Sequence, residues 1–286
     1  MLVIQEKLMG AKLNIDLYRR AYFYFDKPVD YVINDKILYI HPVLVKDSEI
    51  FLSSVSILDT DKNSSDSVEI IQMSYLDFIY KVLFQDEINI SRFINILRYC
   101  LHIENPEIGY DENQKPFLKD KDTGIVIKSK DFENIRRLIL YQNLVHYDDE
   151  YINPEIKEMM AEVDAVKNSG FDLPNIERKM AIISAHNGMT KKEQMDMTYR
   201  SHSILFEEVY GEVEFMSTRA MRIYAGKDGE MEHWIYKKKK DKYAGYMTDA
   251  DTYAKSMGGD KNAIKASSGT EYGDNLSRQY DNFTNK

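Results

Sequence analysis

The sequence predicts an α+β fold, mostly α-helical, with small N-terminal β-hairpins, a helical C-terminal part and a flexible C-terminal tail. Three observations predict it. β-prone runs rich in Val, Ile and Tyr meet at Asn34-Asp35, and a second strand-turn-strand pattern centres on Asp122-Thr123-Gly124. Beyond residue 150 the chain carries helix punctuation: Pro154 and Gly170, then Pro174 and Gly188, then a capping box at Thr190 and Glu193. The last run, from Met257 onward, has no periodic apolar face. The expected parts are a mixed α/β region over 1–149, a helical region over 150–225 and a tail over 226–286.

Each element has its own local reason. Tyr31 to Val45 reads as the first hairpin. Asp47 then offers a cap, and Val45, Ile50, Phe51, Leu52, Val55 and Leu58 fall on helical spacings. Asp59 to Ser67 is a polar loop. Helices follow over Ser74 to Phe84 and Ser91 to His102, each opened by a serine that can accept from first-turn amides. In the second, Phe93, Ile94, Leu97, Cys100 and Leu101 share one face, which buries Cys100. Pro106 onward reads as a surface loop leading into the second hairpin, with Ile125, Val126 and Ile127 on the return strand. Phe132, Ile135, Leu138 and Ile139 mark a helix from Ser129 to Leu144. The capping box opens a helix from Lys191 to Tyr210, with one more over Phe215 to Tyr224.

Composition narrows the function. The 286 residues are 43% apolar, enough for one large or two small cores. The net charge of −9 argues against a protein whose main task is coating nucleic-acid phosphates. From Gly226 onward 11 basic residues face 10 acidic ones, so the acidity belongs upstream. A single cysteine, Cys100, excludes an internal disulfide framework and fits a reducing compartment. Glu6, Lys7 and Lys12 interrupt the apolar start, so neither a secretory h-region nor a membrane span is expected.

The six histidines are scattered with no HExxH pattern, and His146 with Asp148, Asp149 and Glu150 is the nearest approach to a ligand cluster. A solvated acidic loop ahead of a helix accounts for it equally well. Gly226 and Gly229 lack a strand-loop-helix frame, so no phosphate loop is expected, and no GxSxG elbow exists. Cys100 on an apolar face reads as inert. No catalytic residue, metal or cofactor is expected. Lys237, Lys238, Lys239 and Lys240 follow Trp234, and aromatics beside lysines can stack on bases while the cations meet phosphates. A solvated junction is the plainer reading. Four lysine codons can also form an adenine run on which ribosomes slip. Met195, Tyr199, His202, Phe206, Val209 and Tyr210 recur at spacings of three and four, while Met189, Met197 and Leu205 make a second face apolar. A helix apolar on two faces sits centrally or meets a partner, and Met suits adaptable partner surfaces.

The stretches SKDFENIRRLILYQNLVHYDDEYINPEIKEMM (129–160) and IISAHNGMTKKEQMDMTYRSHSILFEEV (182–209) resemble tail and baseplate assembly proteins of long-tailed phages of low-GC Gram-positive hosts, in particular the tail assembly chaperones. The shared cadence is a G-M-T-x-x-E helix start ahead of a polar extension. The resemblance spans about a third of the chain, without an exact signature motif, and the N-terminal hairpin part has no counterpart in it. It implies a non-enzymatic protein that binds tape measure, tail tube or baseplate partners in the host cytoplasm during assembly, with an extension that frameshifting can supply. A structural subunit retained in the virion tail is a variant of that reading, and a homo-oligomer is open. The expected contact residues are Met195, Tyr199, Phe206 and Tyr210, with Trp234 and Lys237 to Lys240 secondary. Two rivals remain: a nucleic-acid-binding regulator using Trp234 to Lys240, and an enzyme built on carboxylates around Asp148, Asp149 and Glu150.

Overall fold

A computed structural model describes residues 13–149, 156, 159–164, 174–226 and 234–235. These fall into two units. The first holds 13–149 with 174–226, and the second holds 156, 159–164 and 234–235. The fold is α+β and mostly helical, with both sheets in the N-terminal half.

In the first unit, α1 (Ile15–Ala21) is capped by Asn14, which accepts from the Leu17 amide. Strands β1 (Val29–Ile33) and β2 (Lys36–Ile40) then pair antiparallel, with Tyr31 opposite Leu38. Asn34 and Asp35 both adopt positive φ, 47° and 62°, as a two-residue hairpin turn requires. Val29, Tyr31, Ile33, Leu38 and Ile40 point into the core, and Val32, Ile37 and Tyr39 point out.

A short 3₁₀ turn leads into α2 (Ser48–Ser54) and α3 (Ser56–Asp59). The expected cap at Asp47 is not made; its side chain accepts no cap bond, because the chain enters the helix from that turn. A further short helix, α4 (Val68–Gln72), precedes α5 (Tyr75–Lys81), which Ser74 caps as expected by accepting from Asp77. Helix α6 (Glu87–Leu101) corrects the sequence reading, since it opens at Asp86 rather than Ser91. An aspartate with extended backbone serves the cap just as well, accepting from the Ile88 amide, and it adds just over one turn ahead of the buried face that begins at Phe93.

The expected loop at Pro106 is instead strand β3 (Pro106–Tyr110), the edge of a three-stranded antiparallel sheet with β4 (Pro116–Asp120) and β5 (Val126–Lys128). Proline is tolerated as the first residue of an edge strand. At Gly109 a Cβ would meet the Phe117 ring at 3.2 Å, so any larger residue there has to push that ring aside. Helix α7 (Ser129–Asn143) is central and packs against α1, α3, α5, β2 and β5. Phe51, Phe93 and Phe132 are among the largest fully buried side chains, each contributing about 1.5–3 kcal/mol of burial. Cys100 is fully buried, as its helix face predicts.

The C-terminal elements of this unit are α8 (Ile176–Asn187), α9 (Lys191–Met195) and α10 (Tyr199–Tyr224). Asn175 caps α8, so Pro174 sits ahead of the cap rather than at the first helical position. Gly188 ends α8 at φ 79°. The capping box of Thr190 and Glu193 is present. The expected helix from Lys191 to Tyr210 breaks at Asp196–Thr198, and the expected break before Phe215 is absent. The reason for the first is tertiary: Val45 donates to the Met197 carbonyl at 2.9 Å and Tyr199 to the Val43 carbonyl at 2.7 Å. The chain must extend there to pair, and Thr198 then caps a new helix by accepting from Ser201. That helix runs unbroken through Gly211, a cost of only about 1 kcal/mol relative to alanine.

In the second unit, 159–164 is helical. The expected helix between Pro154 and Gly170 and the tail over 226–286 lie largely outside the described residues. Among the described residues no helix is long and apolar enough to cross a membrane.

Candidate protein-contact site on α10

Helix α10 is held at its start by residues distant in sequence. Asp26 sits in the left-handed region at φ 53° and turns its carboxylate to Thr198 Oγ1 at 2.6 Å and Ser201 Oγ at 2.8 Å. An acidic group beside a helix N-terminus also meets the positive end of its dipole. Arg200 donates to the Tyr141 carbonyl at 3.0 Å, tying α10 to the end of α7. Asn143, fully buried at that end, accepts from the Val43 amide at 2.7 Å. Residues 43–45 are therefore fixed on one side by α7 and on the other by 197–199.

One turn further, His202 is fully buried and its Nε2 meets Gln194 Oε1 at 3.2 Å. Gln194 is oriented by donating through Nε2 to the Met180 carbonyl and Ser184 Oγ, so its oxygen faces the histidine as acceptor. His202 Nδ1 has no partner among the described residues. A lone pair there is cheaper to bury than an unpaired N–H, so burial, together with nearby Lys179, lowers the His202 pKa.

Helix α8 lies beside α10 and runs in the same direction. Lys179 Nζ stands 5.3 Å over the Phe206 ring, and His186 Nε2 reaches Glu212 at 3.2 Å. Since α8 stops at Asn187, α10 loses that neighbour just beyond Glu212. Along α10, Tyr199, His202, Phe206, Val209, Val213, Met216, Ala220 and Ile223 follow alternating spacings of three and four. This is one seam, covered by α8 in its first half and solvent-exposed at Val213, Met216 and Ile223 in its second. Val209 is 4% exposed, whereas Val213 is 51%, Met216 57% and Ile223 64% exposed.

The residues expected to make contact divide along this seam. Met195 and Tyr199 are half-buried against the protein itself. Phe206 is half-buried under Lys179, and its ring stacks 6.5 Å from that of the exposed Tyr210. Those two come together and lead into the exposed half. Val213, Met216, Met221, Ile223 and Tyr224 were missed by sequence reasoning, although continuing the same spacing beyond Val209 reaches Val213, Met216 and Ile223. Trp234 is half-buried in the second unit, and Lys237 to Lys240 lie outside the described residues.

The acidic loop after α7 is occupied by structural pairs. Asp149 accepts from Arg137 and from the Tyr141 hydroxyl, and His146 pairs with Glu207 at 2.8 Å. An open cavity of about 480 Å³ lies alongside, lined by Asn14, Asp16, Arg19, Tyr147 and Asp148 among others. The salt bridge of Arg19 to Asp16, at 3.0 Å, crosses that lining. Among the described residues no three of His, Cys, Asp or Glu group to hold a metal ion. Burial pushes the Cys100 thiol pKa far up.

Neither family models, nor curated proteins, nor solved structures yield a match to this chain.

Proposed function

We propose that this chain is a non-enzymatic assembly protein that binds other proteins through the exposed half of α10, in the manner that its resemblance to phage tail assembly chaperones implies. Its partners are then tape measure, tail tube or baseplate proteins. The observation that carries the reading is the seam of α10, which continues apolar and exposed beyond the end of α8. Contiguous apolar surface on a folded chain marks a contact site, and methionines let such a surface adapt to its partner. Glu207, Glu208, Glu212 and Glu214 border the seam, which keeps an apolar helix dispersed between encounters.

The test is co-purification of the full chain from cells expressing its neighbouring genes, beside the Met216→Glu variant. Tail proteins held by the natural chain and reduced at least about tenfold by the variant support the proposal. Undiminished capture by the variant moves the site away from α10, and capture of nothing but nucleic acid overturns the function.

A further inference from the structure

We infer that the outer edge of β3 pairs with the same edge of a second copy of this chain, antiparallel and in a register centred on Ile108. This contact is independent of α10 and goes beyond the proposed function, adding a second surface and its occupant.

Backbone pairing with β4 sets where each group of β3 points. The register places Ile108 opposite Leu118 and Gly109 opposite Phe117. The Lys121 amide donates to the Asn105 carbonyl at 3.2 Å, and the Asp111 amide to the Lys115 carbonyl at 2.9 Å, so the odd-numbered residues are those that bond to β4. Pro106, Ile108 and Tyr110 turn their backbone groups away from the sheet. The N–H and C=O of Ile108 and Tyr110, with the C=O of Pro106, form that edge, and among the described residues no hydrogen bond reaches them. Ile108 is only partly buried, and Tyr110 is 39% exposed. A row of unpaired groups of this kind is a template for another strand.

The edge is its own complement. About a two-fold axis at Ile108, each Ile108 N–H meets the partner's Ile108 C=O, and each Tyr110 N–H meets the partner's Pro106 C=O. Every N–H on the edge thus finds an acceptor, and Pro106, with no N–H to give, stops the pairing there. Charge selects this register. An axis at Glu107 sets that carboxylate against the partner's Glu107, and an axis at Gly109 sets it against the partner's Asp111, like charge facing like. The axis at Ile108 sets it against the partner's Gly109, which has no side chain to meet it, and leaves the ion pair of Glu107 with Lys119, at 3.2 Å, intact. The helices have room as well. Strands spaced about 4.8 Å apart put β4 and the partner's β4 about 14 Å apart. Helix α5, which packs on β4, needs only about 8–10 Å from its counterpart. A contact between two such short strands falls below a standard stable interface, so association is weak and concentration-dependent.

Sedimentation equilibrium on the full chain over roughly 1–500 µM reads the association. The expected result is a monomer–dimer equilibrium that Ile108→Pro weakens at least about tenfold. Proline there removes the outward N–H and leaves the Glu107 and Gly109 bonds to β4 in place, and circular dichroism checks that the variant is folded. The register is read without that variant, from single-cysteine chains, since Cys100 is buried and does not compete. Ile108→Cys is expected to link to itself on oxidation, because the paired Cα atoms stand about 5.5 Å apart. Glu107→Cys, about 8 Å from its own copy, is expected to stay unlinked. A monomer at every concentration, a dimer that folded Ile108→Pro leaves intact, or linkage of Glu107→Cys in place of Ile108→Cys overturns the inference. The α10 reading fails separately. A β3 dimer that captures no tail protein leaves this inference standing without the proposed function, and a monomer that loses tail-protein capture on Met216→Glu does the reverse.

Discussion

Asp26 and Ser201, 175 positions apart, are joined by both carboxylate oxygens, at 2.8 and 2.9 Å from the serine hydroxyl. The same carboxylate accepts from Thr198, so one side chain near the first hairpin fixes where α10 begins. Asp26→Ala removes these bonds and a negative charge from the helix start. It is expected to cost about 1–2 kcal/mol, visible as a fall of several degrees in Tm. Because Thr198 still caps the helix, circular dichroism at room temperature is expected to stay unchanged.

Asn143 is the buried counterpart on the other side of the same strand segment. Its side chain accepts from Val43 and donates to the Ile139 carbonyl at 2.9 Å. Asn143→Leu leaves the Val43 amide buried and unpaired, a cost of about 1–3 kcal/mol measurable by urea unfolding. Asn143→Asp keeps the acceptor but buries a charge, and is expected to be no better.

Two histidines make stability depend on pH in one direction. Burial lowers the His202 pKa, and burial with the cationic form of His102 lowers that of His41, whose ring stacks 3.7 Å from the His102 ring. The unfolded chain therefore takes up protons first as pH falls below about 6.5. Their contribution is fully present above that value and is lost as pH falls toward the lowered folded-state values. The urea midpoint is expected to drop between about pH 7.5 and 5.5, and His202→Gln is expected to flatten the profile.

Cys100 provides a test of the core. Burial holds the thiol protonated and out of reach, so a maleimide or disulfide reagent is expected to label it only at the rate of global unfolding. Labelling within seconds at neutral pH in the absence of denaturant contradicts the packing described for α6.

What could be read from the sequence was decided by local chemistry. Asn34-Asp35 announces its hairpin because few residue pairs accept two positive φ angles, and Thr190 with Glu193 announces a helix start because both partners lie within one turn. What could not be read depends on contacts between distant residues. The break at Asp196–Thr198 exists because Val43 and Val45 pair there, and nothing between Lys191 and Tyr210 records that. Strand β3 escaped notice because Pro106 and Gly109 weaken its local signal, while its pairing with β4 is what holds it. Phe206 and Tyr210 stood out by spacing, and so could Val213, Met216 and Ile223. Which half of the stripe is exposed depends on where α8 ends beside it.

The antiparallel bridge between Leu44 and Thr198 has a consequence for the order in which the chain is made. The segment around Leu44 leaves the ribosome long before its pairing partner exists. At about 5–20 residues per second, translation keeps that edge waiting for roughly 10–30 s while both sheets and α7 can already assemble. Domain closure is thus a late event in synthesis. During the wait, an exposed backbone edge and the uncovered end of α7 are what a nascent-chain chaperone would meet, and slowing translation past residue 150 is expected to prolong that exposure.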